Sequence, residues 1–200
     1  PDAKYVELDG HDPVPFMGNW DEVAEEIEEF VTGSRRERDA ERVLATLVFT
    51  DIVGSTEKAA SMGDSEWRKV LEDYDRTVER EVARYQGRVV KQMGDGHLLT
   101  FDGPARALKC ACSISRGVKP LGVEIRAGLH TGEVEQRHDD VGGIAVHIGS
   151  RVTRLAKANE VLASASVPPL VAGSGISFED RGEHELKGID GTWKVYAVDA

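Results

Sequence analysis

The chain has 200 residues, 40% of them hydrophobic and 30% charged, enough for one full core plus a short appendage and ordinary for a globular protein. No stretch of about 18 apolar residues is present to cross a bilayer, and the polar start Pro1-Asp2-Ala3-Lys4 does not read as a secretory leader. The net charge of −11 argues against a nucleic-acid binder, which would need a basic face. The acidity is uneven, because residues through Arg42 carry −8 and the rest only −3. A chain that opens on proline reads as a piece cut from something longer. Cys110 and Cys112, two apart on a helix, point to different faces and read as small buried residues. Nothing demands an oxidising compartment, so a cytoplasmic protein is expected.

Residues 1–33 read as a first unit. Lys4 to Leu8 alternates like a short strand, Gly10-His11-Asp12-Pro13 reads as a loop, and Asn19 with Glu22 resembles a capping box. Val23, Ile27, Phe30 and Val31 then line one helical face, which Gly33 ends. Residues 34–42 are a charged linker. A unit of this size cannot hold a core alone. A strand, a histidine loop and a helix in this order resemble the end of an α/β-hydrolase domain, where a histidine follows the last strand as general base. No nucleophile elbow is present, so His11 is given no catalytic role.

From residue 43 the pattern changes. Val43 to Asp51 is a buried strand ending in a carboxylate, and Gly54-Ser55-Thr56 opens a helix. A long amphipathic helix follows, with Trp67, Val70, Leu71, Tyr74, Val78, Val82 and Tyr85 at three-and-four spacing up to Gly87. Arg88 to Met93 and His97 to Phe101 form a hairpin around Gly94-Asp95-Gly96. A helix is expected from about Pro104 to Gly117, a strand from Val123 to Thr131, a helix from Gly142 to Lys157 and a strand from Val161 to Ser164. Two or three strands, broken at Gly188 and Gly191, fill Ile176 to Val198. The order predicts an α+β, ferredoxin-like βαββαβ sandwich with extra C-terminal strands over residues 43–200.

Asp51 ends a strand and Asp95 sits at a hairpin tip. If those strands are neighbours, both carboxylates reach one edge, where their mutual repulsion is relieved by divalent cations. Such a pair suits two-metal displacement at phosphorus. Either aspartate alone could equally cap a helix or make a turn. Free N–H groups at the helix start after Asp51 suit a triphosphate, with Gly54, Ser55 and Thr56 allowing close approach and the Ile52 carbonyl able to join a metal shell.

Phe49-Thr50-Asp51-Ile52-Val53-Gly54-Ser55-Thr56, then Lys91-Gln92-Met93-Gly94-Asp95-Gly96, then Asp140-Val141-Gly142-Gly143-Ile144-Ala145-Val146-His147-Ile148-Gly149-Ser150-Arg151 occur in that order. Together they resemble the class III nucleotidyl cyclases of a bacterial, mycobacterial-like type. The likeness runs from about Arg42 to Val198.

The resemblance implies that Asp51 and Asp95 hold two Mg2+ or Mn2+ ions, one activating the ribose 3′-hydroxyl and one binding the triphosphate. It implies that Arg151 neutralises the α-phosphate and that Lys187, within Glu185-Leu186-Lys187-Gly188, grips the outer phosphates. A lysine only donates and an ionised aspartate only accepts. Lys91 to adenine N1 and Asp140 to adenine N6 therefore fits ATP, whereas guanylyl cyclases of the family carry glutamate at the position of Lys91. His147 stands where the family usually has asparagine; a ribose- or phosphate-orienting role is expected for it. The metal aspartates and the remaining site residues come from different chains in this family, so a homodimer with composite sites is implied. The expected activity is adenylyl cyclase. The alternatives are an inactive nucleotide-binding module of the same fold and a guanylyl cyclase. His97, His130, His138 and His184 have no metal-ligand spacing.

Overall fold

The computed structural model describes residues 5–7, 20–33, 42–137 and 140–199. The chain divides into two compact units, Pro1–Glu41 and Arg42–Ala200. In the first, α1 (Trp20–Thr32) ends where Gly33 turns left-handed and donates its N–H to the Glu29 carbonyl at 2.9 Å. Its expected apolar face exists, yet Ile27, Phe30 and Val31 are exposed. Residues 5–7 are irregular, a correction to the strand expected over Lys4–Leu8. A strand persists only where a neighbouring backbone pairs with it, and the ladders described here do not include these residues. The His11 loop, the Asn19 cap and linker residues 34–41 lie outside the described residues.

The second unit is built on β1 (Arg42–Ile52), whose residues Thr46 to Thr50 are buried on both faces of a mixed sheet. The helix opened by Gly54-Ser55-Thr56 is α2 (Ser55–Met62) and the long amphipathic helix that follows is α3 (Asp64–Arg84), the two separated by Gly63 at φ 81°. Then come β2 (Arg88–Met93), β3 (Gly96–Phe101) and α4 (Pro104–Gly117), with Pro104 at the first turn, where its missing N–H costs nothing. β4 (Ile125–Arg137) runs past the expected end at Thr131 and pairs with β5 (Asp140–Gly142). The helix expected from Gly142 therefore starts later, as α5 (Ile144–Leu155). β6 (Val161–Ser164) is followed by the long antiparallel pair β7 (Ser177–Glu185) and β8 (Thr192–Asp199).

The strand order is β2-β3-β1-β4-β6-β8-β7, with β5 paired to β4, and among the described residues only β4 and β6 run parallel. The β2-β3-β1-β4 half is the ferredoxin-like core; the other half is the expected C-terminal extension. One face is covered by α3 and α4, where Tyr74, Val78, Leu108 and Ile114 pack on Val48, Leu99, Ile125 and Leu129. On the other, α5 sets Ala145 beside Leu47 and Phe49, and Ile148 and Val152 against Leu162 and Val195. No helix among the described residues is long and apolar enough to cross a membrane.

Candidate active site

Side chains alternate along β1, so Thr50 faces α3 while Phe49 and Asp51 share the face that α5 covers. Thr50 Oγ1 meets the Tyr74 hydroxyl at 2.7 Å and accepts from the His97 N–H at 3.3 Å, which ties the strand end to α3 and β3. Asp51 pairs with Gly96 on β3 and with Arg126 on β4. Gly96 has a steric cause: a Cβ there would stand 2.2 Å from the Thr50 carbonyl oxygen. Only glycine lets the hairpin close on β1, and Gly94 at φ 68° turns it at the tip. This seats Asp95 at the Asp51 end of the sheet. Burial, first, pushes the pKa of the Tyr74 phenol well above the usual range; its hydrogen bond with Thr50 opposes that, and the charges of Asp51, Asp75 and Asp95 add to it.

Asp51 is one wall of a cleft of about 330 Å3, together with Met93, Gly96, Arg126, Ser150 and Arg154. Arg126 Nε and Nη2 both donate to Asp51 Oδ2, at 2.7 and 2.5 Å. The half-buried carboxylate thus already carries a cation. Oxygen donors of this kind, Asp51 and Asp95 with the Ile52 carbonyl nearby in the chain, fit a hard divalent ion such as Mg2+ or Mn2+. After them, Gly54 at φ 67° leads into α2, whose start has no side-chain cap, so the N–H groups of the Ser55-Thr56 turn are not taken by one.

The other expected residues form separate contacts. Lys91 Nζ lies 2.7 and 2.6 Å from the two carboxylate oxygens of Asp140, across the ends of β2 and β5. Asp140 Oδ1 also accepts from the Val141 N–H at 2.8 Å. Arg151 Nε donates to the Lys187 carbonyl at 3.0 Å, joining α5 to the β7–β8 turn. His147 is exposed on α5, four residues before Arg151. None of Asp95, Lys91, Asp140, His147, Arg151 and Lys187 belongs to the described lining of the Asp51 cleft, although Ser150, the neighbour of Arg151, does.

Arg126 and Arg154 were not anticipated. Arg126 is legible only once β1 and β4 are set in register; Arg154 could have been read as three past Arg151 on the same helix face. Two other histidines are structural. His130 Nδ1 pairs with Ser164 Oγ at 2.7 Å, and burial lowers its pKa to about 4. His97 is buried with Nε2 3.2 Å from Asp75; burial lowers its pKa, and Asp75 and Glu79 oppose that. His138 lies outside the described residues.

A family model described as the adenylate and guanylate cyclase catalytic domain matches residues 39–200. Among curated relatives, an adenylate cyclase of Streptomyces coelicolor is 32% identical over 116 residues, 57% of this chain and 30% of that protein. An uncharacterized Mycobacterium tuberculosis protein is 29% identical over 150 residues, 72% of this chain and 52% of that one. The chain spans from 15% to 52% of the length of the first curated relatives it matches. Among solved structures, the adenylyl cyclase CyaB from P. aeruginosa superposes with a TM-score of 0.72 at 23% identity, over 80% of this chain and 95% of that one. The catalytic core of a rhodopsin-guanylyl cyclase with converted specificity, in complex with ATPalphaS, gives 0.74 at 23% identity, over 80% and 99%. These likenesses establish the fold.

Proposed function

The chain belongs to the adenylate and guanylate cyclase catalytic domain family, and from that membership we propose that it is an adenylyl cyclase. It converts ATP to 3′,5′-cyclic AMP and pyrophosphate in a homodimer with composite sites. The observation that carries the choice of base is the Lys91–Asp140 pair, a donor held beside an acceptor. Adenine presents an acceptor at N1 beside a donor at N6, the complement of that pair; guanine presents the reverse and would leave both mispaired. A mispaired polar group costs about 1–3 kcal/mol. The ammonium has three donors and the carboxylate two oxygens, so both can hold the base and still touch each other.

In the reaction the ribose 3′-oxygen forms a bond to the α-phosphorus as the bond from that phosphorus to the pyrophosphate oxygen breaks, and the 3′-proton passes to solvent. When bound, two Mg2+ or Mn2+ ions, held by Asp51, Asp95 and the Ile52 carbonyl, would supply Lewis-acid neutralisation of charge on these oxygens. Arg151 neutralises charge building on the α-phosphate, and its bond to the Lys187 carbonyl restrains the guanidinium. Lys187 takes the outer phosphates, and the N–H groups from Gly54 to Thr56 face the triphosphate. His147, one turn before Arg151, orients the ribose. A composite arrangement is supported by two observations. Lys91, Arg151 and Lys187 do not line the Asp51 cleft of their own chain, and Leu44, Met93 and Ile144 are exposed apolar residues of the kind that subunit contact buries.

An assay with ATP or GTP plus Mn2+, following cyclic product and pyrophosphate, tests this. Asp95→Ala abolishes product with the fold intact by circular dichroism. Lys91→Glu depresses ATP turnover by at least about tenfold relative to GTP, the equivalent of one mispaired group. Equal use of both nucleotides before and after Lys91→Glu would remove the adenine assignment.

A further inference from the structure

Arg154 is a charged group at the Asp51 cleft that none of the three sequence motifs contains. Its position has a steric origin in β4. Gly128 pairs with Phe49 two residues from the Asp51–Arg126 pair, and a Cβ on Gly128 would stand 2.3 Å from the Thr153 backbone nitrogen. Glycine there lets the last turn of α5 settle directly on the sheet. Thr153 is buried, its hydroxyl bonded to the Gly149 carbonyl at 2.9 Å, and the next residue, Arg154, is exposed and lines the cleft.

The two arginines of the cleft are in different states. Arg126 directs Nε and Nη2 at Asp51. Arg154 makes no hydrogen bond or ion pair among the described residues, although the cleft contains a carboxylate. One guanidinium balances Asp51; the other has its planar fork of donors open, the geometry that pairs with phosphate oxygens. We propose that Arg154 binds the terminal phosphates of the nucleotide, and the pyrophosphate as it leaves, from the same chain that supplies Asp51. The proposal rests on the nucleotide cyclase reading and adds to it a phosphate contact on the metal-binding side of the composite site. It also sets two arginines, Arg126 and Arg154, against the two carboxylates of the proposed metal site before any cation enters, which lessens the repulsion of a polyanion.

Isothermal titration of inorganic tripolyphosphate in the presence of Mn2+, with a parallel titration of Mn2+ alone, tests the assignment. Arg154→Gln weakens tripolyphosphate binding about tenfold, as expected for a charge-assisted contact open to solvent. Arg154→Lys retains part of the affinity, and Mn2+ binding alone is unchanged in both variants. A purely structural role for a cation at the end of α5, facing the helix dipole, would lower the melting temperature of Arg154→Gln and leave tripolyphosphate affinity unmoved; that result overturns the proposal. Equal loss of Mn2+ and tripolyphosphate binding overturns it too, because the damage would then be general. If the unaltered protein fails to bind Mn2+ and tripolyphosphate together, the cyclase reading falls first and the role of Arg154 with it.

Discussion

Residue by residue, the fold distinguishes charged groups left accessible, such as Arg154, from groups held neutral inside the packing. His130 belongs to the second kind. It is buried against Ser164 with its pKa lowered to about 4, so the unfolded chain, with a histidine near 6.5, binds the extra proton first as pH falls. Its contribution to stability is full above pH 6.5 and is lost progressively down to about pH 4. Urea unfolding at pH 7 and pH 5 should differ by about 2 kcal/mol from this residue alone. His130→Gln, which keeps a hydrogen-bonding group without the titration, should flatten that difference. The family was legible because aspartates at a strand end and a hairpin tip, with Gly-Ser-Thr and Lys91 at fixed spacing, occur in that order. Arg126 was not legible, because a lone arginine on a strand reads as a solvated charge until the register brings it to a partner, as β4 brings it to Asp51.

At the scale of elements, glycines decide where the secondary structure can meet. Gly149 packs where a Cβ would lie 2.8 Å from the Phe49 ring, and Gly128 where one would strike the Thr153 backbone. Backbone cannot move aside as a side chain can, so Gly128→Ala must lift α5 from β4. We expect a loss of about 2 kcal/mol, a fall in melting temperature of roughly 4–8 °C for a chain of this size, and reduced turnover, because α5 carries His147, Arg151 and Arg154 together. Calorimetry and the cyclase assay on the same preparation check both halves. The strands and helices themselves were readable from periodicity: β1, the hairpin, α4 and β6 lie where the pattern puts them. The boundary between α2 and α3 at Gly63 is not set by that periodicity, because the apolar three-and-four spacing begins only after it. β4 was cut short because Glu133, Glu135 and Arg137 look like loop, although they alternate with Gly132, Val134 and Gln136 along a strand.

For the whole unit, the sheet puts α3 and α4 on one face and leaves α5 and the ends of β1, β3 and β4 to build the site on the other. The ferredoxin-like half could be inferred from element order, whereas the parallel β4–β6 join and the order β6-β8-β7 depend on long-range pairing that no local pattern encodes. The proposed homodimer, in which Asp51 and Asp95 of one chain would meet Arg151 and Lys187 of the other, has a genetic corollary. Two defective alleles should rescue one another. Asp95→Ala protein and Arg151→Ala protein, each silent, would on mixing and random exchange give half mixed pairs, each with one sound centre and one doubly damaged. Recovery should therefore plateau near about a quarter of the unmutated rate, and a mixture that stays silent would mean that every chain works with its own arginine.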